Sequence, residues 1–336
     1  VTQVQVKALR KLLKLELGRV LEDIRFLADS AEFHAYMDRP SSANEQKLVD
    51  SWRQLAKQRK LYDKIRFIDA RGMETVRINF KKDTAYPVPK AELQLKAHRY
   101  YIEETMALDR GEIFVSPFDL NKEHGVVERP YKPMIRVAMP VFNRNETKQG
   151  MLVMNYMAAR LLREIHSYAK STDGSLMLLN ADGYYLRGIK AEREWGFMFP
   201  GKGDHYSLRF DYPQAWSSIS VSSMGQFENT AGIFTFQHIS FPHEERNLGS
   251  STQRTWILVN FESAEALGTK LASMKRTAWL LAGAMLPVLL IISLIISRSR
   301  LQKNFVQEAL RSSEERNRLI LEAVADGIYG IDAQGN

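Results

Sequence analysis

The sequence predicts an α+β architecture: a long N-terminal helix, two tandem modules built on antiparallel strands, and a transmembrane helix toward the C-terminal end. Three observations carry this. Apolar residues at spacings of three and four run through the first 37 residues, an apolar strand with a turn ending in Gly occurs at 67–72 and again at 178–183, and residues 277–297 contain no charge. With 336 residues and 45% apolar content the chain can bury two cores and still supply a span.

In chain order, Val6, Leu9, Leu13, Leu17, Val20, Ile24 and Leu27 form a continuous seam, predicting a helix over 1–37. The seam suits packing against the chain's own modules, a dimer contact, or both. In the first module (38–165), 65–68 and 75–79 read as a hairpin, 90–108 as a helix, and 113–116, 134–141 and 150–156 as further strands. Five antiparallel strands with helices on one side make a PAS-like module. In the second (166–262), strands are expected at 176–179, 184–187, 216–222, 232–238 and 255–261. Both hairpins open on Asp or Asn, which bonds back to the backbone, and close on Gly, which supplies positive φ. Their separation of roughly 110 residues points to a repeated domain.

Residues 277–297 suffice for the roughly 30 Å hydrocarbon core, with Trp279 as an interfacial anchor. Lys270, Lys275 and Arg276 balance Arg298, Arg300 and Lys303, so flanking charge leaves the orientation open. Residues 298–318 read as a helical connector, in which Ser312 to Glu315 could start a new helix. A third hairpin with the same pattern, 330–335, falls within 319–336. The start at Val1 and the stop just after a turn are expected of a piece of a longer protein, with a first membrane helix upstream.

The net charge of +8 would allow nucleic-acid binding, but Lys and Arg are spread along the chain rather than gathered in a stripe, so no nucleic-acid partner is expected. The absence of cysteine excludes disulfide scaffolds, zinc-thiolate sites and thiol nucleophiles, and suits an oxidising compartment. Residues 196–203 imitate a P-loop but end in Gly where Ser or Thr is needed, with aromatics inside the loop. Asp119, Asn121 and Glu123 alternate like calcium ligands, yet His124 and Pro130 stand where that loop needs Gly and Glu. The seven His form no HExxH pair. No catalytic residue, metal or cofactor is therefore expected, and Asp182, Trp195 and Trp216 read as turn and core residues.

A binding cleft remains. Arg99, Tyr100 and Tyr101 fall on the expected helix, Ser116, Phe118 and Asp119 near the end of a strand, and Arg136 on the strand after it, with Arg77 a further candidate. Arg bonds a carboxylate bidentately, Tyr and Ser orient it, and Asp could accept an ammonium, a set suited to a small carboxylate or an amino acid. Equally, Arg99 and Arg136 could pair with Glu103, Glu104 or Glu128 in structural salt bridges.

Residues 62–80, 93–121, 128–142, 150–156, 178–188 and 194–200 resemble the double Cache (tandem PDC) sensors of bacterial receptors, and 312–336 resembles the entry of a PAS domain. The resemblance implies two PAS-like (Cache/PDC) modules, with 1–276 periplasmic, 298–336 cytoplasmic, and the span in the inner membrane. It further implies a small-molecule ligand in the membrane-distal module, a homodimer, and a histidine kinase output beyond this non-catalytic segment. A diguanylate cyclase is the alternative output, and a chemoreceptor or membrane-tethered enzyme fits less well.

Overall fold

The computed structural model describes residues 2–123, 125–170, 174–239 and 255–328. The chain divides into two compact units, Val1–Glu265 and Ala266–Asn336.

The first unit opens with α1 (Thr2–Ala28). Its seven seam residues are at most 4% exposed, so the seam is consumed by packing within the chain. The helix stops short of residue 37. Ser30 accepts from Phe33 N–H at 3.4 Å and donates to Leu27 O at 2.8 Å, starting a separate α2 (Ala31–Asp38). α3 (Ser42–Arg59) follows, capped by Ser41 and closed by Lys60 at φ 53°.

The first sheet contains β1 (Tyr62–Asp69), β2 (Glu74–Lys81) and β3 (Thr84–Pro87). The short α4 (Tyr100–Met106) precedes β4 (Phe114–Val115) and β5 (Asp119–Leu120). A small ribbon of β6 (Lys122–Glu123) and β7 (Val126–Val127) leads to the long β8 (Pro133–Phe142) and β9 (Lys148–Met157). The strand order is β3-β2-β1-β9-β8-β4, with β5 also on β8.

After α5 (Ala159–Lys170) come β10 (Ser175–Asn180), β11 (Tyr185–Arg187), α6 (Leu208–Asp211) and α7 (Pro213–Ile219). The strands β12 (Met224–Asn229), β13 (Gly232–Ile239) and β14 (Trp256–Ser263) complete a second sheet, ordered β11-β10-β14-β13-β12. Its five strands follow the path of β2-β1-β9-β8-β4, so the repeat expected from the two hairpins is present in the topology.

The two turns share their chemistry. Asp69 Oδ1 accepts from Arg71 and Met73 N–H at 2.9 Å each, and Asn180 Oδ1 from Asp182 and Tyr184 at 3.1 and 2.9 Å. Gly72 and Gly183 close them at φ 83° and 85°.

One face of each sheet packs into a common core with α1: Ile65, Phe67, Val137 and Leu152 from the first, Leu178, Trp256 and Leu258 from the second. The opposite face of the second sheet is closed by Leu208, Ala215 and Ile219, which meet Phe234 and Val259.

Further expectations are corrected. Residues 90–108 are not one helix, because the segment commits its backbone to the β1–β2 turn: Glu74 N–H donates to Gln94 O at 3.1 Å and Lys96 N–H to Gly72 O at 2.7 Å. The strand expected at 216–222 is largely α7, where Pro213 presets the first turn and Ala215 and Ile219, four apart, bury together, while β12 was not anticipated. The helices do not all lie on one side, since α4 packs with Ile68, Met151 and Val153 on the face away from α1.

The second unit is the greater part of α8 (Ala264–Ile328). Its apolar stretch has exposed side chains and is long and apolar enough to cross a membrane. Ser312 starts no new helix; its hydroxyl donates to Ala309 O at 3.0 Å within the continuing one. The third hairpin, 330–335, lies outside the described residues.

Candidate functional site

Strand alternation builds the site. In β1, Ile65 and Phe67 enter the α1 core, which sends Lys64, Arg66 and Ile68 to the other face. β8 and β9 send Arg136 and Asn155 to that same face, and Asn155 pairs in register with Lys64 on one side and Arg136 on the other. A polar row thus crosses the three central strands.

Residues 96–101 and 119–122 wall the row into a cleft of about 250 Å³. Of the sequence candidates, Arg99, Tyr100, Tyr101, Asp119 and Arg136 line it. Tyr101 is buried, with Arg66 5.9 Å from its ring centroid, and Tyr100 packs edge-on against it at 5.7 Å.

The other three candidates do not line it. Ser116 Oγ accepts from Arg136 N–H at 2.8 Å and donates to Pro117 O at 2.8 Å, so it fixes a strand end. Phe118 is buried between Trp195 and Trp256, at 5.2 Å from each ring. Arg77 is held by Glu74 at 2.7 Å behind the cleft.

Lining residues that were not anticipated include Lys64, Arg66, Lys96, Lys122 and Asn155, together with Met198 from the loop after β11. The middle of 62–69 carried a signal for Lys64 and Arg66, which lie two apart and alternate with the apolar Ile65 and Phe67. Met198 left none, because its loop arrives from the other sheet.

Buried charges are paired. Arg66 donates from Nη2 to Asn155 Oδ1 at 2.7 Å and reaches Glu74 and the Tyr101 hydroxyl at 3.4 Å each. Glu74, with its side chain 1% exposed, also accepts from Arg77 at 2.7 Å and from Gln94 N–H at 3.1 Å. Arg136 Nη1 donates to both oxygens of Asp119, at 2.9 and 3.1 Å. Burial raises the pKa of Asp119, against the pull of Arg136 and Lys122. Burial lowers that of Lys96, with Arg66 and Arg99 pushing the same way and Glu74 opposing. Arg99 has no carboxylate within ion-pairing distance among the described residues. The expected pairings of Arg99 and Arg136 with Glu103, Glu104 or Glu128 are replaced by Arg136–Asp119.

Among the described residues, no three His, Asp or Glu side chains are grouped to hold a metal ion. The apparent calcium ligands diverge: Asp119 serves Arg136, and Asn121 donates to Glu128 at 2.9 Å.

The extracellular domain of vpHK1S-Z8, assigned as a histidine kinase, is similar in structure, with TM-score 0.67, 23% identity, and coverage of 79% of this chain and 94% of that one. A domain assigned to the sensory box/GGDEF family from Vibrio parahaemolyticus matches with TM-score 0.65, 26% identity, and coverage of 79% and 98%. The ligand-binding domain of the Pseudomonas aeruginosa PAO1 amino acid chemoreceptor PctC, in complex with GABA, matches with TM-score 0.52, 13% identity, and coverage of 76% and 96%. No curated protein is similar enough to count as a relative. The model of the bacterial histidine kinase sensor domain matches residues 8–249. With most of its length inside that match, a Cache-like fold and, among the described residues, an apolar helix long enough to cross a membrane, the chain belongs to the bacterial histidine kinase sensor domain family and carries the sensor domain of a bacterial receptor.

Proposed function

We propose that the sensor takes up a small molecule bearing a carboxylate, a carboxylic acid or an amino acid, in the cleft on the polar face of the first sheet. Residues 38–165 then form the membrane-distal ligand-binding module, 166–262 the membrane-proximal module, 277–297 the span, 298–318 a connector, and 319–336 the opening of a PAS domain leading to a histidine kinase. On this reading residues 1–276 are periplasmic, 298–336 are cytoplasmic, and the span lies in the inner membrane. A GGDEF-type diguanylate cyclase is the second reading of the output, favoured by the likeness to the Vibrio parahaemolyticus domain.

The observation that carries the proposal is Arg99, an arginine on the cleft wall with no carboxylate partner among the described residues, beside Tyr100 and Tyr101. The reading of a homodimer is supported by α1, where Val4, Leu15 and Phe26 recur every 11 residues, or about three turns, and are 70, 58 and 63% exposed. A ligand signals through differential affinity for two conformations. Phe118, next to cleft-lining Asp119, packs on Trp256, the first residue of β14, which leads directly into α8.

The test is calorimetric titration of the chain in nanodiscs with a panel of small carboxylates and amino acids, for wild type and Arg99→Ala. The substitution removes a charge-assisted bond of about 1.5–3 kcal/mol, a tenfold to hundredfold loss of affinity, with the melting temperature unchanged. Equal affinity in the two proteins refutes the site. A periplasmic reporter inserted at Asn145, in the β8–β9 turn, is expected to be active, and cytoplasmic activity there overturns the topology.

A further inference from the structure

The charges of the cleft narrow the ligand class, on the reading that the cleft is the ligand site. Lys64, Arg66, Lys96, Arg99, Lys122 and Arg136 line it, and Asp119 is the single carboxylate among its described lining residues. Asp119 is already committed, with both oxygens within 3.1 Å of Arg136 Nη1. The carboxylates behind the wall do not cancel the surplus, because each is shared. Glu74 serves Arg77 at 2.7 Å as well as Arg66 at 3.4 Å, and Asp63 lies 3.8 Å from Lys132 and 4.0 Å from Lys64. Glu104 of α4 is exposed and outside the lining. Arg99 and Lys122 have no ion pair among the described residues, and Arg66, whose side chain is 5% exposed, keeps a buried Nε with no hydrogen-bond partner.

A zwitterionic amino acid needs an acceptor for its ammonium, and the one carboxylate on the wall is occupied by an arginine. An ammonium placed here meets Lys96, Arg99 and Lys122, whereas a second carboxylate meets the same groups as attraction. We infer that the cleft takes a small dicarboxylate dianion in preference to an amino acid. Its volume of about 250 Å³ suits a ligand of few heavy atoms, since pockets for drug-sized ligands run to roughly 300–1,000 Å³.

The test compares succinate, butyrate and 4-aminobutyrate, which share a four-carbon chain and differ at the second terminus: carboxylate, methyl or ammonium. Each is titrated calorimetrically into the full chain in nanodiscs at pH 7.4, with malonate and glutarate covering chain length. The best dicarboxylate is expected to bind at least tenfold more tightly than butyrate, and 4-aminobutyrate more weakly than butyrate. Lys96→Gln and Lys122→Gln are expected to weaken the dicarboxylate more than butyrate, shrinking the preference for the dicarboxylate severalfold. If 4-aminobutyrate matches or exceeds the dicarboxylates and Arg99→Ala weakens it, the dianion inference falls and the site stands. If none of the compounds binds, or binding ignores Arg99→Ala, both fall.

Discussion

The rings of Phe118 and Trp256 lie 5.2 Å apart, centroid to centroid, joining the segment that walls the cleft of the first sheet to the last strand of the second. Trp195 lies at the same distance on another side of Phe118, so three aromatic rings close the common core at this point. Phe118→Ala is expected to remove about 3–5 kcal/mol of stability by opening a cavity that rigid neighbours cannot fill. Denaturant unfolding followed by Trp fluorescence measures this, and a loss below 1 kcal/mol would show that the contact is dispensable.

Glu74 is the counter-ion for two arginines, the buried Arg66 and the largely covered Arg77. Glu74→Ala leaves Arg66 and Arg77 without it and releases Gln94 N–H, so a loss of about 3–5 kcal/mol is expected. Arg77→Ala leaves Glu74 still paired with Arg66 and is expected to cost less. The ranking is read from melting temperatures, and the reverse order would place the burden on Arg77.

Asp63 gives a pH dependence of defined sign. It is 7% exposed, and burial raises its pKa while Lys64 and Lys132 oppose. The folded chain therefore holds this proton more tightly than the unfolded chain, and the stability it contributes is complete below the ordinary aspartate value of about 4 and lost as pH rises through the raised value. Asp63→Asn stays neutral throughout, so its stability relative to wild type is expected to improve between pH 4 and pH 7. Unfolding curves at the two pH values check this. A mutant that fares worse at neutral pH would mean that the two lysines outweigh burial.

Local chemistry was enough to read much of the fold. The seam of α1, the paired turns at Asp69 and Asn180, and the apolar run at 277–297 are written in side-chain spacing and in turn residues that act within a few positions of themselves. The candidate site was legible only in part. Residue type marks Arg99, Tyr100, Tyr101, Asp119 and Arg136, which converge on one cleft, whereas Arg66, outside that set, is marked only by its alternation with Ile65 and Phe67.

The rest depended on partners distant in sequence. Residues 94–96 look helical in isolation, but they bond to the turn at Gly72, which a run of helix could not do. Arg66 finds Asn155, 89 residues away, only because β1 and β9 are neighbours in the sheet. Phe118 and Arg77 have the side chains of a binding site, yet one fills the core shared by both sheets and the other neutralises Glu74. A side chain's chemistry is set by its residue type, but whether it faces a ligand, a counter-ion or a neighbouring ring is set by strand register and by which elements cover each face of the sheet.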